Sequence, residues 1–392
     1  MKKILFALVL LGSISPAYAL SLSDMNSSTI GGGLGLVSAA DGSMVSVVAL
    51  HPDLGLGDFK LGLDVNILLD PTRRPAAFTP VTCRFVEYDN GQVGVRYGLL
   101  TGVNYGYGML VDSYSTVKSG QSLFTPEQAG TKVYTKLFSP LGIYLLSTNS
   151  SVVGLRLTDT LSNDLFFGHP LILGANYMYD RDGVVTSTGT RVGANQSGYG
   201  ADIGIPMIEN QWDIFVEEAV LSNYGSGLSA GTRYKFSEMF DAKFAYQVLS
   251  NQFVPAYFNS TYEDSPVNLS SISNESKSGY FGSLGANLMD YFRFEGTYQS
   301  YTTASGLKSN TVLASLGMKE MQNVSLVASY AQPNFAGLSS LSADNATIKA
   351  DVSYRLNSYS KAIIHYSKVY VTSTSVQESY ATEISFELPV KF

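Results

Sequence analysis

The chain predicts an all-β fold, a transmembrane antiparallel up-and-down barrel, on three observations. Residues 380–392 alternate: Tyr380, Thr382, Ile384, Phe386, Leu388, Val390 and Phe392 interleave with Ala381, Glu383, Ser385, Glu387, Pro389 and Lys391. A period of two is that of a strand, and one greasy face beside one charged face suits a sheet that separates an apolar medium from water. No stretch approaches the roughly 18 apolar residues that a helix needs to cross a bilayer, so any crossing must use strands. Connections between strand-like runs alternate between short and long, as in a barrel with turns at one end and loops at the other.

The elements follow in chain order. Lys2 and Lys3 precede an apolar run over residues 4–11, broken by Gly12 and Pro16, and Ala17-Tyr18-Ala19 supplies a small-x-small cleavage pattern. Residues 1–19 read as a secretory signal peptide and residues 20–392 as a single barrel domain. Strand-like runs occupy residues 30–38, 43–50, 59–69, 92–99, 103–111, 142–147 and 152–157, and only some of these can be staves. Twelve more strands are expected from Leu171 onward. Among them residues 200–205 and 211–220 turn around 206–210, 231–236 and 241–249 around 237–240, and 279–288 and 291–301 at Met289 and Asp290. Further on, 310–319 and 323–331 meet at Glu320 and Met321, and 346–356 and 360–371 turn around Ser358. Residues 181–197, 251–278 and 332–345 read as long outer loops. An even count of about 16 strands is expected, within a range of 14 to 18. Residues 112–130 are left over and are a candidate inward-folded plug or constriction.

Composition agrees with this class. Charged residues make up 15% of the chain, while 26 Tyr, 20 Phe and 37 Gly stand against one Trp, which suits a barrel apolar outside, polar inside and edged by aromatic girdles. The net charge of −7 is dispersed and no basic block marks a nucleic-acid surface. Cys83 stands alone and cannot form an intrachain disulfide. Three histidines exclude a His-rich metal site, and no cofactor is expected.

Phe386, Leu388, Val390 and Phe392 resemble the C-terminal assembly signal of bacterial outer-membrane β-barrels, with Glu387 where that family usually has glycine. Val95-Arg96-Tyr97-Gly98, Gly106-Tyr107-Gly108 with Asp112-Ser113-Tyr114, the stretch from Gly200 to Pro206 and the stretch from Phe253 to Phe258 are similar to segments of uncharacterised porin-like barrels. The resemblance implies the bacterial outer membrane, contact with its lipid and lipopolysaccharide, handling by the barrel assembly machinery, and no assigned activity.

Sites of chemistry are few. Gly94, Gly98, Gly102 and Gly106 recur every fourth residue, but Arg96 and Asn104 among them spoil an apolar helix, and glycines covered by Tyr97, Tyr105 and Tyr107 in a sheet are the better reading. Residues 31–35 are glycine-rich without nucleotide-loop spacing. Asp180-Arg181-Asp182-Gly183 opens like a calcium loop, yet its twelfth position is Arg191, so an Asp-Gly turn is expected. His365 and Ser367 share a strand face, an arrangement that resembles outer-membrane phospholipase A over three residues, with Glu383 the nearest orienting acid. Lipid hydrolysis is a remote alternative, and the protein is expected not to be an enzyme. Arg73 and Arg74, beside Pro71 and Pro75, read as a solvated turn.

Alternation turns Arg233, Lys235, Lys243, Arg293, Lys319, Lys349 and Arg355 towards the lumen together with Asp213, Glu217, Glu295, Asp351, Glu383 and Glu387. This is a balanced set rather than a ring of one sign. The expected function is a porin-like passive channel for small hydrophilic solutes. The alternative is a plugged barrel acting structurally or adhesively through its outer loops.

Overall fold

The computed structural model describes residues 28–390 apart from 39–43, 71, 73–78, 118–127, 167, 184–194, 238, 264–265, 290, 338, 340, 342–345, 358–359 and 373–374. The expected signal peptide, Arg73, Arg74, Phe392 and the middle of the expected plug lie outside the described residues.

The chain enters as five successive strands, β1 (Ser28–Ser38), β2 (Met44–Leu56), β3 (Phe59–Leu68), β4 (Val81–Asp89) and β5 (Val93–Gly98). Two short strands, β6 (Val103–Tyr105) and β7 (Val111–Tyr114), then leave the sheet. The sheet resumes with β8 (Gly130–Phe138), β9 (Leu141–Thr148), β10 (Val152–Phe166), β11 (His169–Asp180), β12 (Gln196–Ile208), β13 (Trp212–Leu221), β14 (Gly225–Phe236) and β15 (Phe240–Leu249). After β16 (Phe258–Asn259), again outside the sheet, come β17 (Lys277–Leu288), β18 (Phe292–Thr303), β19 (Lys308–Met321), β20 (Val324–Pro333), β21 (Thr347–Asn357), β22 (Ser360–Thr372) and β23 (Ser375–Val390).

Each sheet strand pairs antiparallel with the next, and β23 pairs back onto β1 from Ser28↔Val390 to Gly33↔Ser385. The last strand therefore meets the first over six residue pairs, so that neither end of the sheet is left as a full open edge. Among the described residues the sheet has twenty strands, above the sixteen expected from sequence and the range of 14 to 18 around it. The additional staves lie in the N-terminal third. In β4 the pairing with β3 slips between Gly62 and Leu63, which breaks the period of two. In β8 one face carries only Thr131, Val133, Thr135 and Leu137, a weak apolar signal. The turn expected at Glu320 and Met321 falls instead at Gln322 and Asn323, both with positive φ, because β19 continues to Met321.

Exposure along the strands is inverted relative to a water-soluble protein. On β13, Ile214 and Val216 are exposed while Phe215, Glu217 and Ala219 are buried; on β15, Phe244, Tyr246 and Val248 are exposed while Ala245, Gln247 and Leu249 are buried. Large apolar side chains turned outward around a ring with a polar interior require an apolar solvent, and the fold is that of a transmembrane barrel. Among the described residues no helix is long and apolar enough to cross a membrane.

Two connections fold inward. Residues 99–117, between β5 and β8, carry β6 and β7, and residues 250–276, between β15 and β17, carry β16 and a short 3-10 turn at Leu269–Ser271. β7 pairs antiparallel with β6 and parallel with β16, through Phe258↔Val111 and Asn259↔Asp112. Leu110, Tyr114, Phe253, Phe258 and Tyr262 pack in one core with Leu146, Met178, Leu221 and Leu249 from the inner face of β9–β15. The run 103–111 is thus two inner strands around a turn, and no stave of the barrel.

Candidate functional site: a half-filled lumen

The first insert is seated on the wall by a turn that the sequence marks with glycine. Gly106 and Gly108 take φ of +64° and +88°, a backbone region that other residues rarely adopt. Between them the amides of Tyr107 and Met109 donate to Glu217 Oε2 on β13 at 3.1 and 3.0 Å. Lys243 Nζ on β15 donates to the Tyr107 carbonyl. The Tyr107 ring stacks on Phe215 with centroids 4.1 Å apart and planes 7° apart, and the Arg233 guanidinium lies 5.1 Å from its centroid. Wall glycines make the close approach possible, since a Cβ on Gly204 would lie 2.0 Å from the Tyr107 hydroxyl oxygen. Burial first, then the neighbouring Asp213 carboxylate, pushes the Tyr107 phenol up to about 12, with Arg233 opposing. The phenol therefore stays neutral at ordinary pH. Beside this contact Arg156 holds Asp202 through two bonds of 2.6 and 2.9 Å.

The second insert covers the first. Ala256 and Phe258 donate their amides to the carbonyls of Met109 and Leu110 at 2.9 and 3.2 Å. Tyr262 donates to Asp180 Oδ2 at 2.9 Å, and Glu263 accepts from Tyr114 and from Ser150, the latter at 2.8 Å. These bonds satisfy the polar tips of aromatic residues whose rings are fully buried.

At the short-turn end a cavity of ≈ 1190 Å³ lies between the first insert and the wall. Asn104, Tyr107 and Asp112 face it from the insert, and Glu209, Asp213, Arg233, Lys235, Asp241, Lys243 and Glu295 face it from the wall. Arg293 joins this group through Glu295 at 2.6 Å and Asp241 at 3.7 Å. Among the described residues no group of three His, Cys, Asp or Glu side chains could hold a metal.

The other half of the wall carries its own charge pairs. His51 meets Asp64 at 2.8 Å, Arg84 meets Asp53 and lies 3.6 Å from Asp64, and Arg96 meets Glu87 at 2.5 Å. On β19–β22, Arg355 meets Glu320, Lys361 lies 3.6 Å from Glu320, and His365 Nδ1 lies 2.7 Å from Asp351. Lys349 is exposed and stands opposite Ser329 and Ser367.

The lumen residues read from sequence thus fall into two places. Arg233, Lys235, Lys243 and Glu295 border the cavity, with Arg293 adjacent, while Lys349, Asp351 and Arg355 stand on β21, three strands beyond β18. Glu383, Glu387, Phe386, Leu388 and Val390 stand on β23, and their side chains lie outside the described residues. Asp351 lies directly opposite His365 on β21 with its carboxylate 2.7 Å from the ring, while the side chain of Glu383, the acid expected from sequence, lies outside the described residues. Sequence reasoning placed Glu217 in the lumen but missed its role at the insert. The Gly106-Tyr107-Gly108 turn and the aromatic run from Phe253 to Phe258 in a polar loop were the available signals.

No protein-family model matches the chain and no curated protein matches it. Solved structures similar to it include Wzi of Escherichia coli, an outer-membrane carbohydrate-binding β-barrel involved in group 1 capsule assembly, at 9% identity over 95% of this chain and 86% of that one, with a TM-score of 0.43. Pseudomonas aeruginosa OccK11 (OpdR) is similar at 11% identity over 93% and 95% of the two chains, with a TM-score of 0.40. A BenF-like porin from Pseudomonas fluorescens Pf-5 is similar at 10% identity over 93% and 98%, with a TM-score of 0.41.

Proposed function

We propose that this protein is a bacterial outer-membrane channel that passes small hydrophilic solutes without chemistry, through the part of the lumen beside the two inserts. The observation that carries this reading is the asymmetry of the interior. A barrel of this strand number encloses an aqueous lumen unless something fills it, and the inserts pack against β9–β15 while, among the described residues, β19–β22 and β2–β5 carry charge pairs and an exposed lysine opposite two serines. Solutes of mixed or no charge suit a wall with both signs. Outer-membrane lipid, lipopolysaccharide and the barrel assembly machinery are its proposed partners, and the signal-like first 19 residues and aromatic-ended last strand support that placement.

A second reading is a closed barrel that works through its outer loops. The full burial of Tyr114, Tyr257, Phe258 and Tyr262 on the loop side favours it. Planar-bilayer recording of the purified protein separates the two: stepwise current supports the channel, and silence at every voltage removes it.

A further inference from the structure

The turn at residues 106–109 is shaped to hold an anion. Its two glycines, both at positive φ, bring the amides of Tyr107 and Met109, two residues apart, to bear on one point, and backbone amides converging in this way form an anion-binding concavity. The point is occupied by Glu217 Oε2, a carboxylate oxygen supplied by the barrel wall. Glu217 is 1% exposed, so no passing solute can touch it. Its other oxygen has no hydrogen-bond partner among the described residues and rests over Gly106, where a Cβ would lie 2.4 Å away. Any side chain at position 106 would displace the carboxylate. Lys243, on β15 of the same wall, holds the turn as well through the Tyr107 carbonyl.

We propose that Glu217 is a positioning residue of the channel: its carboxylate fills an anion nest in the inner loop, clamps that loop to β13 and so sets the width of the passage beside it. The consequence for permeation rests on the channel reading, whereas the clamp can be tested without it. Losing two buried hydrogen bonds together shifts the balance between docked and released loop by about a factor of ten or more. Two such bonds converge here, and they are made by one side chain.

The test uses the full-length protein folded in proteoliposomes, with Glu217→Ala and Glu217→Gln compared by amide hydrogen exchange over residues 105–110. Glu217→Ala is expected to speed exchange of this segment about tenfold or more. Glu217→Gln keeps an oxygen able to accept both amides and is expected to stay near wild type. Acetate in the buffer is expected to slow exchange in Glu217→Ala by refilling the nest. Unchanged exchange in Glu217→Ala, or equal acceleration in both variants, would overturn the proposal. Should Glu217→Ala not assemble, Gly108→Ala strains the turn and leaves the wall intact, and it must loosen the same segment for the proposal to stand. Single-channel conductance is expected to rise in Glu217→Ala and not in Glu217→Gln. A wild-type protein that is silent in bilayers but shows the expected exchange would remove the channel reading and keep the clamp; exchange that follows expectation with conductance equal in all three proteins would remove the link to pore width.

Discussion

The wall of β9–β15 and the wall of β19–β22 with β2–β5 both turn charged side chains inward, yet they place them differently. On the first, inward charges reach off the sheet to the backbone and rings of the inserts: Glu217 to two amides, Lys243 to a carbonyl, Asp180 to the Tyr262 hydroxyl. On the second, charges meet across strands, as Arg96 does with Glu87 and His365 with Asp351, an arrangement the first wall uses as well where Arg156 holds Asp202. A polar inner face therefore specifies no function by itself. What decides is whether something packs against it, because a covered face is desolvated and its unmade bonds are expensive, whereas a wet face can leave a bond to water.

Removing the cover is the strongest way to break the comparison. Replacing residues 253–263 by a short Gly-Ser linker takes away the aromatic layer over β7 and is expected to raise single-channel conductance severalfold while the barrel still migrates as a folded species before heating. An unchanged conductance would mean that the passage runs elsewhere than beside the inserts.

A point substitution sharpens the same contrast. Phe258 is fully buried between the inserts and the wall, and Phe258→Ala is expected to cost about 3–5 kcal/mol of stability through the cavity it leaves. Phe294 is a ring of similar size on the outward face of β18, and Phe294→Ala should cost ~0.5 kcal/mol or less because lipid fills the space. Denaturant titration of both variants in detergent measures the gap. Equal losses would contradict the assignment of inside and outside.

How much of this was legible in sequence follows from the same physics. Alternation such as Val324, Leu326, Ala328 and Tyr330 against polar neighbours is a local property, so the twelve strands from Leu171 onward could be read directly. β4 was hidden because its register slips at Gly62, and β8 because threonine stands where larger apolar residues would announce a lipid face. The inserts are a tertiary outcome. Nothing local distinguishes Val103-Asn104-Tyr105 from a stave, and only the turn at Gly106 and Gly108 stops it from continuing as one. Alternation placed Glu217 and Lys243 in the lumen, but their task depends on a loop more than a hundred residues away in the chain.

The smallest effect is expected on β21, and it tests whether that strand faces water. Asp351 is 36% exposed at its side chain and sits 2.7 Å from the His365 ring. An ion pair in contact with water contributes little, so Asp351→Asn is expected to change stability by less than about 1 kcal/mol. It does remove a negative charge from the lumen, and the reversal potential under a salt gradient is expected to move towards anions, with Lys349 two residues away left exposed. A shift in selectivity with intact stability would identify β21 as a lining of the passage. A loss of several kcal/mol with unchanged selectivity would instead mean that this wall is covered as closely as β13, and the contrast between the two halves would fail.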